Sequence, residues 1–259
     1  MSSIPNNKQL IIKFDNVDNL KKIEISGFDD LSYLFYKYPI FIKSNISKWD
    51  VSNVKNMEYM FYVCNEIKKL TLNKWNVSNV INMQDMFSCS TIRFLNISKW
   101  DVSNVKDMSE MFEFCESLEY VYLSKWNVSK VENMNRMFHY CEKLQKLDIS
   151  KWNVSNVKYM YGIFDSCKSL KELCINKWNV SNVKTMSYMF YKCKSLNKLY
   201  LYKWDVSNVK KMCGMFYKCK NLKNLYILNW NIMKLTDKTE IFDYCNKLNI
   251  IDALLFTLD

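Results

Sequence analysis

The chain has 259 residues, 49% hydrophobic and 24% charged, with a formal net charge of +11; that apolar mass suits one or two packed domains and excludes a disordered chain. Three Gly, two Pro and a single His leave tight Gly turns, phosphate-cradling loops, nucleophile elbows, Ser/His/Asp triads and two-His zinc sites without their building blocks. No tract reaches the roughly 18 apolar residues a membrane helix needs.

Residues 1–22 read as an N-terminal cap, with Ile11, Ile12, Phe14 and Val17 as its apolar contacts. Their apolar stretch is only Leu10, Ile11 and Ile12 between lysines, followed by Asp15 and Asp18, so no signal-peptide core is present. The expected compartment is therefore intracellular.

From residue 23 a single repeat governs the chain. Residues 23–48 are its degenerate first copy, with Ile23 in the Trp place, Leu31 and Leu34 in two Met places, Phe35 in the Phe place and Tyr38 in the Cys place. Eight marked copies follow, at Trp49, Trp75, Trp100, Trp126, Trp152, Trp178, Trp204 and Trp230, spaced by 26 residues with one step of 25. Cys64, Cys89, Cys115, Cys141, Cys167, Cys193, Cys219 and Cys245 keep the same beat, and the short step is expected between Phe87 and Cys89. Eight of ten Cys at one repeat position are a packing pattern, so reduced core thiols are expected. A linear ladder without C-x-x-C is also a poor zinc site. Cys174 and Cys213 lie off the ladder and are the better candidates for reactive thiols.

Each repeat has two halves. Val54, Met57, Met60, Phe61 and Cys64 fall on one helical face, and Ser52-Asn53 precede it as capping residues, which predicts a short helix. Leu118, Val121 and Leu123 follow L-x-x-L-x-L, as do Leu144-Leu147-Ile149 and Leu196-Leu199-Leu201, which predicts a strand. One parallel strand and one short helix per 26 residues make an α/β solenoid over residues 23–253. At the far end Lys238 replaces the first Met, and residues 254–259 close the core through Leu254, Leu255 and Phe256.

The unit L-x-x-L-x-L-x-K-W-[ND]-V-S-N-V-x-x-M-x-x-M-F-x-x-C resembles the BspA-like leucine-rich repeat of bacterial surface proteins, over about residues 23–253. The resemblance implies a curved right-handed coil with a parallel sheet on one face, and recognition of proteins or surfaces without catalysis. Many family members carry an export signal and an anchor; neither is recognisable here, although the family implies that a surface location is open. Where ordinary leucine-rich repeats place an Asn that ties neighbouring turns, this chain has Trp. Its indole can bury a large area while its N–H donates to a turn carbonyl. The Met pairs and Phe belong to the same core.

Strand side chains alternate, so Tyr120, Tyr122, Tyr200, Tyr202 and Tyr226 are expected on the open face of the sheet as partner-binding aromatics. Charge is nearly balanced over residues 1–150 and reaches +10 over 151–259; residues 177–223 hold eleven Lys against Asp205 alone. Lys192, Lys194, Lys198, Lys218, Lys220 and Lys223 are the candidate anion-facing residues. Arg, the bidentate phosphate ligand, occurs only at Arg93 and Arg136, which disfavours specific nucleic-acid binding. His139 follows Phe138, off the apolar face, and is expected in solvent without a role. The N-V-S sequons at Asn76, Asn127, Asn153 and Asn179 share one repeat position, where stacked glycans would collide, so passage through a eukaryotic secretory route is disfavoured. The reading is a non-enzymatic scaffold, without cofactor or metal, that binds another protein through its sheet face and basic C-terminal coils. A BspA-like surface adhesin and anion binding by the Lys-rich coils are the alternatives, and the oligomeric state stays open.

Overall fold

The computed structural model describes residue 25, residues 27–36 and residues 46–249. Within them consecutive repeats stack in parallel, each one coil above the last. The cap at 1–22, the repeat positions at Ile23 and Tyr38, and the closing segment at 254–259 lie outside the described residues.

The L-x-L half behaves as its alternation dictates. Leu70, Leu95, Val121, Leu199 and Leu225 point inward and are buried, and the residues between them face out. Strands β1 (Lys69–Leu70), β2 (Phe94–Asn96) and β3 (Tyr120–Tyr122) form one parallel sheet; β4 (Lys198–Tyr200) and β5 (Asn224–Tyr226) form another. Pairing is in register with the repeat, Leu70↔Leu95↔Val121 and Leu199↔Leu225. The coils that begin at Trp126 and Trp152 carry no strand. There the sheet continues only as the bridge Tyr120↔Lys146, although Leu147 and Leu173 remain buried.

The expected helix is absent. Among the described residues the only helical segment is a one-turn 3-10 helix, Ile46–Lys48. The segment Met57 to Cys64 is instead a chain of turns: Met60 N–H donates to the Met57 carbonyl and Tyr62 N–H to the Tyr59 carbonyl. The N–H groups of Met57, Tyr59, Phe61 and Val63 leave for the next coil, to the carbonyls of Asn82, Gln84, Met86 and Ser88 at 2.8–3.0 Å. The same four bonds recur at each later junction up to Met212, Gly214, Phe216 and Lys218. Two residues per turn segment, such as Tyr59 (φ 54°) and Val63 (φ 56°), are left-handed, which no helix tolerates. Fifteen described non-Gly residues take this conformation. Scarcity of Gly thus does not exclude tight turns: the cross-coil bonds offset the strain. Ser52 and Asn53 accordingly cap no helix. The Ser52 N–H is bound by the Asp50 carboxylate in an Asx turn, and the equivalent Asn79 side chain reaches the Ser52 carbonyl of the coil below.

A second ladder, unforeseen from the sequence, runs one residue before the first Met. Bridges join Asp30, Asn56, Asn82, Asp107, Asn133, Tyr159, Thr185, Lys211 and Asp237 in succession. The short repeat is also placed differently from the sequence expectation. Phe87, Ser88, Cys89 and Ser90 fit the full-length turn, with Cys89 (φ 57°) in the left-handed place and Ser90 buried in the Cys place. The missing residue therefore lies between Ser90 and Ile92, where the chain enters the strand. Cys89 leaves the ladder and joins Cys174 and Cys213 outside it.

The core is a set of identical stacks. Trp75 to Trp230 are buried, with successive rings parallel at 6.3–6.4 Å. Each indole N–H donates to the carbonyl that ends the strand segment of the coil below, as in Trp126 to Ile97 (3.0 Å) and Trp204 to Ile175 (2.9 Å). Phe rings stack at 5.3–5.8 Å from Phe35 to Phe242. Ladder thiols donate to the Phe carbonyl below, as Cys141 does to Phe112 (3.1 Å). Burial pushes the Cys64 and Cys115 thiols up to about 12, so they stay protonated and inert.

Candidate recognition surface

The outward strand positions present the Tyr residues in two clusters. On β2 and β3, Phe94 and Tyr120 stack at 5.8 Å, Tyr120 is half-buried and Tyr122 is 57% exposed. On β4 and β5, Tyr200 and Tyr226 stack at 4.8 Å with an interplanar angle of 12°, and Tyr202 is exposed just past β4. Three coils separate Tyr122 from Tyr200, about 14 Å at the usual strand spacing. Between the clusters, where the strand is interrupted, lies a depression of about 460 Å³ lined by Gln145, Lys146, Asp148, Lys171, Glu172 and the exposed Cys174.

The six candidate Lys do not all join these Tyr. Lys198 lies on β4 and pairs with Glu172 at 3.6 Å; Lys223 immediately precedes β5 and is exposed. Lys194 and Lys220 are exposed at the step from turn to strand. Lys192 and Lys218 belong to the turn side, both left-handed, with their ammonium groups 4.8 and 4.9 Å from the centres of the Tyr191 and Tyr217 rings.

The expectation for His139 is overturned. Its ring is largely buried, with Nδ1 2.7 Å from Glu113 and Nε2 3.3 Å from Asp165, the residues one coil to either side. Burial opposes its protonation, but the hydrogen bonds and charges of Asp165 and Glu113 outweigh it and raise its pKa. Glu110 and Asp85 complete a carboxylate group on this side, with Arg136 3.8 Å from both Glu110 and Glu113. Burial, then the charges of Glu113 and Asp85, push Glu110 up to about 7. Asp85 is raised by burial, against hydrogen bonds from Tyr59, Ser88 and Gln84. Oxygens of Asp85, Glu110 and Glu113 lie within 4.8 Å of one another, the hard donor type a divalent cation takes; here Arg136 already faces two of the three. The available sequence signal was the 26-residue spacing of Glu113, His139 and Asp165, and of Glu110 and Arg136.

No helix among the described residues is long and apolar enough to cross a membrane. No curated protein sequence matches the chain significantly. Among solved structures it is similar to the leucine-rich repeat protein of T. pallidum, with 20% identity and a TM-score of 0.40 over 64% of this chain and 77% of that one. It is also similar to a leucine-rich repeat protein from Bacteroides ovatus, with 21% identity and a TM-score of 0.40 over 80% of this chain and 61% of the other. A leucine-rich repeat protein from Eubacterium ventriosum aligns at 14% identity and a TM-score of 0.35 over 76% and 70% of the two chains. A family model described as "Mycoplasma protein of unknown function, DUF285" matches residues 6–94, 88–174 and 167–252. The three consecutive matches together span residues 6–252, nearly the whole length, and the chain belongs to this Mycoplasma protein family, DUF285.

Proposed function

We propose that the protein is a non-enzymatic recognition scaffold, a BspA-like leucine-rich-repeat solenoid that binds another protein through its sheet face. The coil is right-handed, as crossovers between parallel strands nearly always are. The proposed solenoid spans residues 23–253. The observation that carries the reading is the placing of Tyr122, Tyr200 and Tyr226 at 41–57% exposure beside strand residues that are nearly fully buried. Large, stiff aromatic groups left in solvent in two stacked clusters supply interface area at low entropic cost. The depression between them gives a partner relief to fill.

The test is retention of a partner from native-host extract by the immobilised chain in high salt. Wild type should retain one. The triple variant Tyr122→Ala, Tyr200→Ala, Tyr226→Ala should lose it by roughly hundredfold or more, since such anchors contribute about 2 kcal/mol each. Its near-ultraviolet dichroism, reporting the Trp stack, should be unchanged. Undiminished retention by the triple variant contradicts the reading.

A further inference from the structure

Stacking in register puts residues 26 apart on top of one another; a Lys ladder from Lys48 to Lys203 runs before the Trp of each coil, and at several other positions the register pairs opposite charges. Lys55 meets Asp29, Arg93 meets Glu119, Lys158 meets Glu132, Lys168 meets Glu142 and Lys198 meets Glu172. In the coils that begin at Trp178 and Trp204 the pattern reverses. Lys184 stacks with Lys210, Lys192 with Lys218 and Lys194 with Lys220; the backbone bond from Lys210 N–H to the Lys184 carbonyl (2.9 Å) fixes the first of these. Among the described residues no carboxylate stands within 4 Å of any of these six ammonium groups, nor of Lys203 or Lys223. Like charges on adjacent coils repel, and an external anionic layer would relieve them.

Exposed apolar groups concentrate in the same part of the chain. Tyr200, Tyr202 and Tyr226 are 41–44% exposed, Leu228 59% and Met233 91%. Leu228 and Met233 offer no face for stacking on a base, but aliphatic chains of this kind enter the headgroup and acyl boundary of a bilayer, where Tyr also favours the interface. The cations here are all Lys. A Lys is a hydrated point charge that suits a layer of headgroups better than bidentate reading of a phosphate. They also spread from the turn side across the sheet rather than converging on the depression, which is lined mainly by the Trp126 and Trp152 coils and reaches the Trp178 coil only at Asn197.

We propose that the Trp178 and Trp204 coils, with Met233 just past Trp230, form a peripheral docking surface for an anionic lipid bilayer. The surface shares Tyr200 and Tyr226 with the Tyr-based protein contact and differs from it in its Lys, Leu228 and Met233.

The test is flotation of the full chain with phosphatidylcholine vesicles, with and without phosphatidylserine, at low and high salt. Wild type should float with the phosphatidylserine vesicles alone, and less in high salt. Lys194→Glu with Lys220→Glu should lower binding by at least about twenty-fivefold, since each Lys near an anionic surface contributes about fivefold. Lys68→Glu with Lys69→Glu, exposed at the start of β1, should leave it unchanged; Leu228→Ser with Met233→Ser should lower it at fixed charge. Equal flotation without phosphatidylserine, none with it, or indifference to Lys194 and Lys220 overturns the proposal. Capture of polyuridylate in place of vesicles also overturns it, pointing to a nucleic-acid site.

Discussion

At the scale of single residues, the carboxylates on the turn side make stability depend on pH in an unusual direction. Glu110 sits against Asp85 and Glu113, with Arg136 as the facing cation, and its folded value of about 7 exceeds its ordinary 4.5. Between those values the folded chain holds a proton that the unfolded chain has lost. The associated stability is complete below about pH 4.5 and is lost as pH rises through about 7. His139, raised in the same direction by Asp165 and Glu113, adds to that loss above its ordinary 6.5. The melting temperature of wild type should therefore fall from about pH 5 to about pH 8, and Glu110→Gln, neutral throughout, should flatten the decline. A wild-type melting temperature that rises over that window would contradict the assignment. The site was half legible in the sequence: period-two alternation found Tyr122, Tyr200 and Tyr226. His139 was missed because its neighbours along the chain say nothing about carboxylates one coil away.

At the scale of elements, the turn segment shows why M-x-x-M-F-x-x-C was read as a helix. Apolar spacings of three, one and three fit one helical face, and they fit equally a row of turns whose alternate N–H groups bind the next coil. The discriminating quantity is where those N–H groups go, which periodicity does not report. Gly162 and Gly214 are the two turn positions where the left-handed conformation is met by Gly, at φ 56° and 58°. Gly162→Ala would bring its Cβ only to ordinary contact with Arg136 at 3.5 Å, so it should cost the backbone penalty alone, about 1 kcal/mol. Gly214→Ala would place a Cβ 2.8 Å from the Tyr188 ring, and should cost distinctly more, because that ring must move. Urea unfolding of the two variants checks the order; equal costs, or a more stable Gly214→Ala, would argue against the turn geometry. The Trp stack, by contrast, was legible down to its hydrogen bond, since a large apolar ring with one donor on a fixed register has few other uses.

At the scale of the whole molecule, register converts sequence asymmetry into surface asymmetry. A strict repeat stacks whatever occupies each position, so opposite charges meet at some junctions, Lys meets Lys at others, and the excess of Lys over acids is greatest within residues 177–223. The repeat was plain from the Trp spacing, and so was the excess of Lys. The division of the Tyr into two clusters was legible too, since Asp148 and Cys174 take the same place in the two coils between Tyr122 and Tyr200; the interruption of the strand in those coils was not. The most direct measurement is site-specific photo-crosslinking in the native host, with a photoreactive Phe analogue at position 122 or 200. A control at position 159 sits on the second ladder away from the sheet, where Tyr159 is 45% exposed. Recognition through the sheet face predicts one common protein adduct from positions 122 and 200 and none from 159. An adduct from 159 with nothing at 122 or 200 would contradict it.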